Sequence, residues 1–260
     1  MTLLVVSCYF MGQIAMLAFV FITMLLAHDE IFCNLIKAKR LSKNYWLSLS
    51  IVVLPFVIFA FLLKSLVMLT FFANLTILLC ALLVIYLFYI DFESEFIVKW
   101  SQKIPLSAGI YCSLFALTLA CLFIRDDWKS LCVLLLFIAF GMDTGAWFVG
   151  VRFGKKKLWP LISPKKTVEG FIGGAIIAGI CGGIVAQIFW EKMNLGLFIM
   201  FVFLGMVSQV GDLVQSKLKR QYGVKDSSAF IPGHGGVYDR IDSLIFLAPV
   251  FLGVLKFLGR

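Results

Sequence analysis

A chain of 260 residues that is 62% hydrophobic and only 14% charged, with mean hydropathy +1.03, carries more apolar surface than a soluble domain of this size can bury. The composition excludes a water-soluble globular protein and points to a polytopic membrane protein. Its formal net charge of +9 comes without a basic domain, which sets nucleic acid aside as a partner and leaves topology and anionic lipid or substrate as its cause.

A spanning helix needs about 20 apolar residues. Eight candidates follow along the chain, roughly 3–27, 46–63, 66–90, 104–124, 130–151, 168–190, 195–215 and 243–258. The expected fold is all-α: an integral membrane protein of about eight transmembrane helices. The first span has no Lys or Arg before Lys37 and no small-residue cleavage site, so it reads as a retained helix and not a removed leader. Alternate loops (28–45, 91–103, 152–167, 216–242) hold 17 of the 23 Lys and Arg residues, against six on the other side. The positive-inside rule places those 17 in the cytoplasm and both termini outside.

Residues 1–130 read as N-terminal transmembrane helices with little chemistry, and 131–260 as the catalytic half of a single membrane domain. The acidic patch Asp91, Glu93 and Glu95 reads as a solvated loop at a helix end, and Asp126 and Asp127 as an outer loop. The seven cysteines form no CxxC, and six lie inside apolar segments, as small buried hydrophobes do.

Chemistry begins at GMDTGAWFVG, where Asp143 sits deep in an apolar segment; an ionisable group there is costly and seldom idle. Gly141 and Gly145, then Gly150 and Gly154, have the spacing of close helix packing. So do Gly173, Gly174, Gly179, Gly182 and Gly183 in the next helix. Between them lie Arg152, Lys155, Lys156 and Lys157, which suit either a phosphate site or a patch on anionic lipid. Next come Ser163, a plausible N-cap, and Pro164 at the first helical position. The free N–H groups of such a helix start, with Lys165, Lys166 and Thr167 beside them, would suit a triphosphate.

The longest polar stretch runs from Gly211 to Ser243 and holds Asp212, Asp226, Asp239 and Asp242 among five cations. If the helix beginning near Leu195 continues past Gly211, then Asp212, Ser216 and Lys219 share one face. Asp239 and Ser243 are again four apart, at the start of an apolar helix. The turn Pro232–Gly236 offers unhindered backbone N–H groups as a nest for phosphate oxygens. The plainer alternative is a cytoplasmic loop with snorkelling cations.

The pattern Ser216-x-Leu218-Lys219-Arg220, Lys225-Asp226-x-Ser228, Ile231-Pro232-x-His234-Gly235-Gly236-Val237-x-Asp239-Arg240-Ile241-Asp242 resembles the signature of the phosphatidate cytidylyltransferases (CDP-diacylglycerol synthases). Residues 143–170 resemble the D-T-x-A-Y…F-G-K…S-P-K-K-T-x-E-G run of the same family, with Gly145-Ala146-Trp147 as a conservative replacement. The resemblance covers about Gly141 to Ser243, some 40% of the chain. It implies transfer of a cytidylyl group from CTP to phosphatidate.

On that reading Asp212 and Asp239 are metal ligands, for Mg²⁺ with a second cation open, since Mg²⁺ is commonly held by few carboxylates plus substrate phosphates. Asp143 and Asp226 are the next candidates. Lys166, Lys219, Arg220, Lys225 and Arg240 would hold phosphates, His234 would donate to one, and Ser163, Lys165, Thr167, Ser216, Gly235 and Gly236 would complete the substrate site. The expected partners are CTP, phosphatidate and the bilayer, with a homodimer left open. A compact chain without an N-terminal extension favours a bacterial plasma membrane, the site facing the cytoplasm. Two rivals are a CTP-dependent polyprenol or lipid kinase and an ion-coupled transporter using Asp143 and Asp212. A transporter should show broken segments in both halves, whereas the interrupted polar segments here lie in the second.

Overall fold

The computed structural model describes residues 2–230, 233 and 235–258, apart from the side chains of Thr2 and Leu3. The chain runs α1 (Thr2–Met11), α2 (Gln13–Glu30), a π-helical stretch (Ile31–Leu35), α3 (Lys43–Phe56) with a second π-helical stretch (Val57–Leu62), and α4 (Leu66–Tyr89). It continues through α5 (Phe96–Lys103), α6 (Ser107–Phe123), α7 (Trp128–Phe153), a hairpin of β1 (Lys157–Trp159) and β2 (Ser163–Thr167), α8 (Val168–Trp190), α9 (Leu195–Gln221) and α10 (Asp242–Phe257). A 3₁₀ turn, Tyr238–Arg240, precedes α10.

Side-chain caps start several helices by accepting a bond from an otherwise orphaned N–H. Ser42 takes that of Tyr45, Ser65 that of Met68, Thr167 that of Gly170 and Asn194 that of Leu197. Among the described residues six helices are long and apolar enough to cross a bilayer, and a seventh span results if α5 and α6, bent by 97°, are joined. The eight expected spans are thus not all reached. Helix α6 has 17 residues and α10 has 16, about 24–26 Å at 1.5 Å per residue, against a hydrocarbon core of about 30 Å. The first expected span, 3–27, breaks at Gly12, whose φ of 106° ends α1, and the spanning stretch shifts to Gln13–Leu35. That shift carries Glu30 from an expected loop into a helix end.

Helix α6 is enclosed by α2, α3, α4, α7 and α10, and its residues from Phe115 to Phe123 are all buried. Polar groups inside the bundle pair across helices, as intramembrane polar groups do. The Thr118 hydroxyl donates to that of Thr76 at 2.9 Å, and His28 Nε2 meets Ser48 Oγ at 2.8 Å.

The expected small-residue packing is present between α7 and α8. A Cβ added at Gly174 would lie 2.6 Å from the Met142 carbonyl oxygen, and one at Gly145 would lie 2.8 Å from Ile177. On the opposite side of α8, Ile172, Ile176, Ile180, Ile184 and Ile188 form an exposed ridge at every fourth position. These two long helices, with α9 against α8, make the frame that holds the polar cluster described next.

Candidate active site

Helix α9 runs on to Gln221, so Asp212, Ser216 and Lys219 do share a face. The Ser216 hydroxyl donates to Asp212 Oδ1 at 3.2 Å. Asp212 Oδ2 accepts from the Lys166 ammonium at 2.6 Å. Lys166 arrives on the β hairpin, where Lys157 pairs with Thr167 and Trp159 with Ser163. This corrects the helix start expected at Ser163: residues 163–167 are a strand, and Thr167 is the cap of α8. Pro164 is tolerated because a two-stranded hairpin leaves one edge free of ladder bonds.

Beside the Lys166–Asp212 pair a cleft of about 540 Å³ opens between α7, α8, α9 and the hairpin. Asp143, Lys157, Lys165, Lys166, Thr167, Gln209 and Asp212 are its polar lining, and Trp147, Val151, Leu158 and Phe171 its apolar lining. Asp143 opens onto this cleft from α7.

Lys219 points to the other half of the cluster. Its ammonium lies 2.7 Å from Asp239 Oδ1 and 3.8 Å from Asp242 Oδ2. Asp239 Oδ2 accepts from the Ser227 N–H at 2.8 Å, the Ser227 hydroxyl at 3.0 Å and the Gly236 N–H at 2.9 Å. Burial alone would raise the Asp239 carboxyl, but the Lys219 ammonium and these N–H donors outweigh it and hold the group below its ordinary value. Gly235 has φ +78°, and a Cβ there would sit 2.6 Å from Asp239 Oδ2, so the turn has room only for glycine.

Backbone N–H groups at the end of this turn and just after it bind carboxylates of the protein. The Gly236 N–H serves Asp239, while those of Val237 and Tyr238 each donate at 2.9 Å to Glu30. Of the nest expected in this turn, the Gly236 N–H is thus committed to a carboxylate of the protein itself.

Across the whole described chain, the Cytidylyltransferase family model matches residues 1–258. The chain belongs to the cytidylyltransferase family. Over 115 residues it is 50% identical to the phosphatidate cytidylyltransferase of Bacillus subtilis (strain 168), covering 43% of this chain and 42% of that protein. It is 47% identical over 111 residues to the phosphatidate cytidylyltransferase of Staphylococcus haemolyticus (strain JCSC1435), and 46% over 111 residues to that of Staphylococcus aureus (strain COL). Both matches cover 42% of each chain. The chain thus spans about two fifths of the length of the curated relatives it matches.

Within this cytidylyltransferase-family chain the remaining expected residues are scattered. Lys225 and Asp226 are exposed on the loop after α9, Arg240 is exposed beside Asp239, and Ser163 stands in the hairpin opposite Trp159. Arg220 lies in the last turn of α9, partly buried. Gly236 is buried beneath Ser227 and Glu30. His234, with Ile231 and Pro232, lies outside the described residues. Lys217, a neighbour of the cluster in sequence, serves a different purpose. It is buried, and its ammonium donates to the carbonyls of Tyr86 at 3.0 Å, Leu87 at 3.1 Å and Ile90, capping the negative end of α4.

Asp212 Oδ2 and Asp239 Oδ1 each face a lysine ammonium, so each presents a hard oxygen to a cation already. Among the described residues no group of three or more His, Cys, Asp or Glu side chains is placed to hold a metal ion. A Mg²⁺ ion held by these carboxylates would need substrate phosphates and water to complete its coordination.

Sequence reasoning missed Glu30 and Asn34. Asn34 donates to the Ser227 carbonyl at 2.8 Å. The available signal was a carboxylate, Glu30, closing an apolar span on the side that carries the excess of Lys and Arg.

Proposed function

We propose that the protein transfers the cytidylyl group of CTP to phosphatidate, giving CDP-diacylglycerol and pyrophosphate. The observation that carries the reading is the Lys166–Asp212 ion pair. It joins the two polar stretches, 46 residues apart, beside a cleft lined by both charged and apolar side chains. An amphipathic cleft suits an amphipathic substrate, and its volume lies in the range of small-molecule sites, about 300–1,000 Å³.

The phosphate headgroup would sit toward Lys165 and Lys166, with its glycerol and acyl stems against Trp147, Val151, Leu158 and Phe171. One phosphate oxygen attacks the α-phosphorus of CTP, the bond from that phosphorus to the β-phosphate bridge oxygen breaks, and pyrophosphate leaves with the electron pair. A phosphate monoester has its second pKa near 6, so the nucleophile is already ionised and no residue has to remove a proton. The task of the chain is positioning and charge stabilisation. Lys166 and Lys219 neutralise the meeting anions, and Asp212 and Asp239 hold those lysines in place. Asp212 and Asp239 would also hold Mg²⁺, whose chemistry when bound is to screen the phosphates and stabilise charge on the transferring group. The site faces the cytoplasm of a bacterial plasma membrane, in keeping with the charge asymmetry of the loops.

The test uses detergent-solubilised protein, Mg²⁺, phosphatidate and CTP labelled on the α-phosphate. Lipid-phase label that requires phosphatidate and is lost at least a hundredfold in Asp212→Asn supports the reading. Label confined to water-soluble CDP, with a lipid alcohol phosphorylated instead, refutes it in favour of a kinase.

A further inference from the structure

Glu30 ends α2, at the start of the π-helical stretch Ile31–Leu35, a local widening often associated with functional sites. Its side chain is buried and accepts four hydrogen bonds from one loop. Oε1 takes the Ser228 hydroxyl at 2.7 Å and the Val237 N–H at 2.9 Å, and Oε2 takes the Ser227 hydroxyl at 2.8 Å and the Tyr238 N–H at 2.9 Å. Among the described residues no Lys, Arg or His pairs with it. A buried carboxylate is held by donors when no cation is present, and here every donor lies in the segment that carries Asp239.

One of those donors is shared. The Ser227 hydroxyl also lies 3.0 Å from Asp239 Oδ2, so a single hydroxyl stands between the carboxylate of the first long span and that of the motif. Asn34, one turn on, donates to the Ser227 carbonyl. The end of α2 and its π-helical extension thus grip Ser227 from both sides. The fit is close: a Cβ at Gly236 would lie 2.4 Å from Glu30 Oε2 and 2.1 Å from Ser227 Oγ.

We propose that Glu30 is a positioning residue for cytidylyl transfer: seated in the backbone N–H nest of Val237 and Tyr238, it fixes the turn that aims Asp239 at Lys219. The N-terminal half is then part of the active-site apparatus and not only a membrane anchor. The kinetic arm of this proposal rests on the transferase reading; its structural arm does not.

The experiment compares wild type with Glu30→Gln and Ser228→Ala. Glutamine keeps the shape and one acceptor oxygen, but its amide nitrogen faces two donors. Serine-to-alanine removes one donor and leaves the carboxylate in place, and serves if Glu30→Gln fails to insert. Label transfer from CTP gives kcat and KM, and hydrogen–deuterium exchange reads the amides of Gly236, Val237 and Tyr238 against those of α8.

In Glu30→Gln we expect kcat to fall at least tenfold, KM for phosphatidate to stay within twofold because the cleft is untouched, and exchange to quicken at residues 236–238 but not in α8. Ser228→Ala should show the same pattern to a smaller degree, two- to fivefold in kcat. The proposal is overturned if both variants keep kcat within twofold of wild type with unchanged exchange. It is equally overturned if the loss falls on KM, or if α8 loosens together with the turn. Should wild type transfer no cytidylyl group, the functional reading fails, and the exchange comparison alone decides whether Glu30 holds the turn.

Discussion

Replacing Lys219 with methionine removes the ammonium and keeps most of the stem, leaving Asp239 and Asp242 without their shared cation. The side chains of Lys219 and Asp239 are only 9% and 5% exposed, so solvent screens the pair weakly. At 2.7 Å and an effective dielectric constant of 20, the gross attraction is about 6 kcal/mol. Desolvation of both groups offsets much of it, yet removing one partner strands the other, at a typical cost of about 3–5 kcal/mol. Asp239 keeps the Ser227 and Gly236 N–H donors, which places the expected loss near the lower end, about 3 kcal/mol. For a chain of this size that is a fall of about 6–12 °C in unfolding midpoint.

The assay is thermal unfolding in detergent of Lys219→Met, Asp239→Asn and the double variant, together with label transfer. The double variant has neither member of the pair charged, so it should recover at least half of the Lys219→Met loss. Label transfer should be down a hundredfold or more in all three, about 2.7 kcal/mol of barrier. A Lys219→Met midpoint within 2 °C of wild type (less than about 1 kcal/mol) would refute the argument. So would a double variant whose loss equals the sum of the singles, because it would show that the two groups are not coupled.

The same pair sets a pH signature. Because the folded Asp239 carboxyl lies below its ordinary value, its stabilisation is present above the unfolded pKa of about 3.9 and is lost as pH falls through the folded value. The gap in midpoint between wild type and Lys219→Met should therefore narrow below about pH 4; melts from pH 7 to 3.5 showing a constant gap would contradict this. Thr167 caps α8 through the Gly170 N–H at 3.1 Å. Thr167→Ala should cost about 1 kcal/mol and Thr167→Ser little, a difference that thermal unfolding of the two variants resolves.

Much of the site was legible because its logic is local. Asp212, Ser216 and Lys219 sit one helical turn apart, and an unbroken α9 is enough to align them. The glycine spacing of α7 and α8 likewise announced a close interface. The Ser163-Pro164 pair misled because it has the form of a helix start, while the chain uses Thr167, four residues later, and spends the intervening residues on a strand that delivers Lys166 to Asp212. Glu30 was invisible for the opposite reason. Its hydrogen-bond partners lie 197 to 208 residues away, and no pattern within a window of sequence carries that pairing. Lys217 shows the same limit, since only the arrival of the α4 terminus distinguishes it from the lysine two residues on.

Helix α8 stores its orientation in side-chain volume and not in polarity. Both of its long faces are apolar; what separates them is that glycines and alanines are concentrated on the buried side, packed against α7 and α9, and five isoleucines on the side turned outward. Where the surrounding medium is hydrocarbon, the familiar rule of tolerance is inverted. Enlarging a residue on the inner face by a single methyl drives it into a backbone only 2.6 Å away at Gly174, whereas trimming an outer isoleucine merely exchanges one hydrocarbon surface for another. Variation along this helix should consequently track the size allowed at each position, and a hydropathy profile would be blind to it.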